Sequence, residues 1–130
     1  MRYRIAAPIA LVLQMPVIVS CQHAPKDRLQ GRWVGESVEN FAASQMARAT
    51  GWARGASLEF RGNRVTVTVP AESPRQGTFV VTDQQPNAVR VSFVRPQGTR
   101  DEASFQFEGN ELLRWQLGDG RAIVMRKASD

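Results

Sequence analysis

From residue 57 onward the chain alternates apolar and polar positions in short segments. In Ser57-Leu58-Glu59-Phe60, Leu58 and Phe60 share one side and Glu59 takes the other. The same period of two sets Val65, Val67 and Val69 against Arg64, Thr66 and Thr68, and Val89, Val91 and Phe93 against Arg90 and Ser92. Further along it sets Phe105 and Phe107 against Gln106 and Glu108, and Leu113, Trp115 and Leu117 against Arg114 and Gln116. Phe79 with Val81, and Ile123 with Met125, complete the inward columns. One dry face and one wet face is the signature of antiparallel strands solvated on one side.

The punctuation between segments agrees. Phe60-Arg61-Gly62-Asn63 and Phe107-Glu108-Gly109-Asn110 repeat one pattern, in which a Gly at positive φ opens a tight two-residue hairpin. Gly118-Asp119-Gly120 predicts another tight turn, and Gln-Gln-Pro-Asn at 84–87 and Arg-Pro-Gln-Gly-Thr at 95–99 predict slightly longer ones. Only residues 37–51 break the alternation. They are rich in Ala, with Ser37 placed to cap a helix starting at Val38 and Gly51 to end it. Val38, Phe41, Ala42, Gln45 and Ala49 would form its weakly apolar face. With a first strand from Gly31, the expectation is an all-β fold: a small antiparallel up-and-down eight-stranded barrel with one short helix between strands 1 and 2. Eight strands close around their own side chains or one small ligand, and closure removes sheet edges.

The N-terminal region is of another kind. Arg2 and Arg4 precede an apolar run over 5–19 that is broken by Pro8, Gln14 and Pro16, and Ile18-Val19-Ser20-Cys21 follows. This is the layout of a secretory signal peptide, and its last four residues resemble the bacterial lipobox, with Ile18 where Leu is commonest. The resemblance implies cleavage after residue 20, with Cys21 as the lipidation site: diacylated on sulfur and then acylated on its new amine. Two or more acyl chains make a stable anchor. Residues 21–30 then read as lipidated Cys and tether, nine residues past the cysteine reaching at most about 30 Å, and 31–130 as the folded domain. Gln22, rather than Asp, implies the outer membrane, facing the periplasm.

Gly31-Arg32-Trp33 at the start of the first strand, with Arg126 near the end of the last, resembles the lipocalin and calycin pattern. The resemblance implies that Trp33 closes the barrel floor with Arg126 packed across its ring. The helix after the first strand resembles the lid insertion of intracellular fatty-acid-binding proteins. A second resemblance is to bacterial metalloprotease-inhibitor barrels, which open near a similar Gly-x-Trp but usually carry a disulfide. A chain with one cysteine cannot form that bond internally.

Charge changes the picture little. Without Arg2 and Arg4, 15 basic residues stand against 12 acidic, a net +3 for 21–130. The arginines are dispersed rather than clustered, which with export argues against a nucleic-acid partner. Chemistry is sparse as well. The one histidine, His23, sits beside the proposed anchor; no nucleophile–His–Asp set can be assembled and no Cys/His cluster exists for zinc. The spacing of Gly51 and Gly55 lacks the following Lys of a phosphate loop. The expectation is therefore a non-enzyme with no catalytic residue, metal or cofactor.

Two functions follow. The first is an envelope structural or protein-interaction role, with Arg48, Trp52, Arg54 and the 95–100 loop as the surface engaging an envelope protein. The alternative is a carrier or sensor of a small hydrophobic ligand or lipid, bound by Phe41, Trp52, Phe60, Phe79, Phe93, Phe105 and Trp115. A periplasmic protease-inhibitor-like module comes third. Internal volume separates the first two, since a cavity of a few hundred Å³ favours a ligand.

Overall fold

A computed structural model describes residues 24–129 of the chain. The expected signal segment, the expected lipidation site Cys21, Gln22 and His23 lie outside the described residues. The order of elements is α1 (Pro25–Leu29), β1 (Gly31–Glu39), a 3-10 turn (Ala43–Gln45) leading into α2 (Met46–Arg54), then β2 (Ser57–Arg61), β3 (Arg64–Thr68), β4 (Arg75–Gln85), β5 (Ala88–Val94), β6 (Arg100–Glu108), β7 (Leu112–Gly118) and β8 (Arg121–Lys127). The strands form one closed antiparallel barrel in which each pairs with its sequence neighbours and β1 pairs with β8. The expected fold is the observed one.

The alternation explains why. Leu58, Phe60, Val65, Phe79, Val89, Val91, Phe105, Phe107, Leu113, Ile123 and Met125 all point inward and are buried. Phe60 sits at the centre, its ring centroid 5.0 Å from that of Phe79 and 6.2 Å from that of Phe105, both edge-on. Aromatic pairs favour this geometry. Gly62 and Gly109 take φ of 64° and 66°, as the repeated hairpin requires.

Two boundaries differ from expectation. The helix after β1 does not begin at Val38: β1 continues to Glu39, and the α-helical part runs from Met46 through Gly51 to Arg54. The cause is a register shift in β1 between Gly35 and Ser37. It places both Trp33 and Val38 on the inner face, an odd separation that breaks a strict period of two. The domain also begins before Gly31. The segment expected to be tether forms α1, whose Leu29 is fully buried in the core. Pro25 occupies the first turn, where its missing N–H costs nothing.

The helices sit at opposite ends. α1 lies across the floor, the end carrying the β2–β3, β4–β5 and β6–β7 turns. Arg28 donates from Nη1 to the Pro86 carbonyl at 2.9 Å and from Nη2 to the Gly109 carbonyl at 3.0 Å, while its guanidinium stacks 4.1 Å from the centre of the Phe107 ring. Gln30 and Gly62 exchange two hydrogen bonds, of 2.9 and 2.7 Å. Arg28 of α1 and Gln30 just after it thus tie together three hairpins remote in sequence. At the mouth, the last turn of α2 enters over β1. Ala53 is fully buried, and a Cβ on Gly35 would fall 1.8 Å from the Ala53 carbonyl oxygen. Only Gly at position 35 lets the helix approach so closely.

Candidate functional site

The floor is closed by packed side chains. Trp33 is 1% exposed and donates its indole N–H to the Leu29 carbonyl at 2.8 Å. Trp33 is therefore a floor residue, but its cationic partner is not Arg126. Lys127 pairs with Trp33 across the β1–β8 seam and holds its ammonium 5.3 Å from the ring centre. Arg126 lies on the outward face, where its Nε donates to Glu36 at 2.6 Å. Since Met125 points inward, period two sends Arg126 out and Lys127 in. The hydrogen bond from Arg126 holds the Glu36 carboxyl below the usual carboxylate range, and Glu36 correspondingly raises the Arg126 guanidinium.

The mouth is different. A half-open cup of about 600 Å³ lies between β3, β4, β5 and β7. Its apolar wall is built from the inward column: Val65, Val67, Phe93 and Trp115, with Gly77 leaving room opposite Val65. Phe93 and Trp115 are half-buried and continue the core upward, each with its ring centroid 6.0–6.3 Å from that of Phe105. The cup's rim is polar, with Arg75, Gln76, Arg95, Gln97 and Asp101. Both rim arginines are already paired, Arg75 with Glu72 at 2.8 Å and Arg95 with Asp101 at 2.8 Å. The cup therefore presents an apolar wall under a charge-balanced rim.

Behind it, beneath α2, runs a slot of about 370 Å³ lined by Val38, Phe41, Gln45, Arg48, Ala49, Trp52, Leu117 and Ile123. It shares no lining residue with the cup. Gln45, Arg48, Ala49 and Trp52 recur at three- and four-residue steps, so one face of the helical segment forms its roof.

The seven aromatics expected to bind a ligand thus divide into three groups. Phe93 and Trp115 line the cup, and Phe41 and Trp52 line the slot. Phe60, Phe79 and Phe105, at most 2% exposed, are core and reach neither cavity. Of the proposed partner-binding surface, Arg48 and Trp52 line the slot, Arg95 lines the cup, and Arg54 donates to the Glu36 carbonyl on the outer side of α2 at 3.4 Å. Sequence reasoning passed over the inward charges at the mouth. Arg75, Asp101 and Arg121 fall on the inner parity of β4, β6 and β8, in step with Phe79, Phe105 and Ile123. A charge on an inward column at a strand end is the signal that marks a barrel opening.

Among the described residues, no group of three or more His, Cys, Asp or Glu side chains could hold a metal ion, and no helix is long and apolar enough to cross a membrane. Comparison with family models, with curated protein sequences and with solved structures found no match.

Proposed function

We propose that this protein is a membrane-tethered, non-catalytic binding module whose barrel mouth holds a small apolar molecule in the cup at Phe93 and Trp115. The observation that carries the reading is the cup itself: about 600 Å³ with an apolar wall, above a core filled by its own side chains. Ligand sites typically occupy about 300–1,000 Å³, with a mostly apolar lining and few polar groups. By the volume criterion, the ligand-binding reading gains over a purely structural role. The lipocalin-like character of the domain belongs to this proposal too, supported by the eight-stranded closure and by Trp33 at the floor. The tether reading is supported by the resemblance of Ile18-Val19-Ser20-Cys21 to a lipobox, and Gln22 favours the outer membrane, with the module facing the periplasm.

The test uses the full lipidated chain in lipid nanodiscs and the neutral fluorophore N-phenyl-1-naphthylamine. In a Trp52→Phe background, energy transfer from Trp115 should saturate with probe concentration after subtraction of empty discs. It should be lost in Val67→Trp, which fills the cup, while circular dichroism stays unchanged. Transfer that matches empty discs, or that survives Val67→Trp intact, would overturn the reading.

A further inference from the structure

The structure assigns a second, separate binding site to the slot beneath α2, for an amphiphile with an apolar chain and a single anionic head, carboxylate or phosphate ester. Three observations converge on it.

The first is exposed apolar surface. The described residues expose three large hydrophobic side chains, and two of them, Trp52 at 42% and Leu117 at 39%, line this slot. Below them Val38 and Ile123 are buried, so the apolar lining continues from the lip inward. Apolar surface left in water around a concave, dry-walled slot is what a ligand's hydrocarbon chain would cover.

The second is an unanswered cation. Arg121 lies on the inward parity of β8, with its guanidinium carbon 5.3 Å from the centre of the Phe41 ring. Its Nε is buried and has no hydrogen-bond acceptor among the described residues. A donor shielded from water and left without an acceptor is costly, and an incoming anion relieves that cost.

The third is the contrast with the cup. Arg75 and Arg95 at the cup's rim are neutralised by Glu72 and Asp101. Arg48 in the slot wall and Arg121, whose guanidinium lies against the slot residue Phe41, form no salt bridge among the described residues, and Glu39 is taken by Arg114 at 3.0 Å. Two cavities of one mouth thus differ in sign: the cup is balanced and the slot is positive. A neutral apolar molecule suits the first, and an anionic amphiphile the second. The chain would lie along Val38, Leu117 and Ile123 under Trp52, with the head between Arg121 and Arg48.

Trp52 and Trp115 report on the two sites separately. With Trp115→Phe, in nanodiscs of neutral lipid, decanoate and decyl phosphate should each shift Trp52 emission saturably, whereas decanol should bind at least tenfold more weakly. Arg121→Gln should weaken decanoate about tenfold or more, the order expected for a charge-assisted hydrogen bond. Arg121→Lys should recover part of the loss, and Arg48→Gln should cost less than Arg121→Gln. Equal binding of decanol and decanoate, or indifference to Arg121→Gln with Arg121→Lys equally silent, would overturn the assignment. So would a Trp52 shift produced by anionic nanodiscs without any added amphiphile, since the face would then be a membrane contact. In Trp52→Phe, the response of Trp115 to the neutral probe should persist, so failure of the slot and failure of the cup are read independently.

Discussion

At the floor of the barrel, one arginine donates to carbonyl oxygens of two hairpins and stacks on Phe107, and every polar group it meets is answered. At the mouth, inward-facing arginines stand above half-buried aromatics, and one buried guanidine N–H has no acceptor among the described residues. The same strands run through both ends, so the difference lies in what crosses them. α1 is short but lies over the floor and contributes Leu29 to the core. α2 is longer but inserts only its last turn, at Gly35, and leaves the β3–β5 and β7–β8 sides open. Stability concentrates where the polar accounting is complete. Binding capacity concentrates where it is not.

The sharpest way to break this contrast is at the tryptophans. Trp33→Ala should destabilise by about 3–5 kcal/mol, the range for deleting a large buried aromatic. Trp115→Ala should cost about 1–2 kcal/mol, because only part of its ring leaves water on folding. Denaturant midpoints at matched slopes decide between them, and equal losses would mean that the mouth is as fully packed as the floor. Next comes Gly35→Ala. The new Cβ would collide with the Ala53 carbonyl, so α2 must withdraw, at about 1–3 kcal/mol for overpacking. Faster amide exchange should then appear in α2 and in the slot, with the floor hairpins unchanged.

Arg28→Ala should do the reverse, at about 1–2 kcal/mol from lost stacking and charge-assisted hydrogen bonds. Exchange should accelerate at the 86–87 and 109–110 turns and leave α2 protected. The smallest effect is at the seam. Lys127→Ala should cost about 0.5–1 kcal/mol through its cation–π contact. A double-mutant cycle of Lys127 with Trp33 should show coupling, and the same cycle with Arg126 should show none beyond error. Coupling at Arg126 instead would restore the expected calycin pairing.

How much of this was legible depends on whether a residue's role is local. Most of the inward columns were legible, because the strands from β2 to β7 carry their own alternation, and Val65, Phe105 and Leu113 needed no neighbour to be placed; Leu117 departs from its column at the β7 register shift and is 39% exposed, and β8 buries Ala122 and Val124 as well as Ile123 and Met125. The five residues of α1 were not. Their sequence, Pro-Lys-Asp-Arg-Leu, has one apolar side chain, and Leu29 is core only because a barrel end is waiting for it. The start of α2 was misplaced because the β1 register shift hides Val38 from a period-two reading. At the floor the alternation itself pointed to Lys127 through Ile123 and Met125; the resemblance to calycins pointed to Arg126, and the local periodicity prevails. For the site, Phe93, Trp115, Phe41 and Trp52 were found by their size. Arg121 was not, because a single arginine beginning a strand looks solvated until Phe41 is seen beneath it.

The β1–β8 seam has a consequence for how the chain folds. All other strand pairings join consecutive strands, so each forms after closing a loop of a few residues or, for β1 and β2, one short helix. The seam joins strands from opposite ends of the domain, and the entropy of closing so long a loop delays it until the meander is in place. Until then β1 and β8 are open edges with unpaired N–H and C=O groups, the form in which a β-sheet recruits other chains. α1 immediately precedes β1 and holds the β4–β5 and β6–β7 turns through Arg28, while Gln30 just after it holds the β2–β3 turn. It brings β1 back toward the far side of the meander and so shortens the search for β8. The floor helix is thus also a guide for closure, and its loss should show first as aggregation during refolding, before any change in the finished barrel.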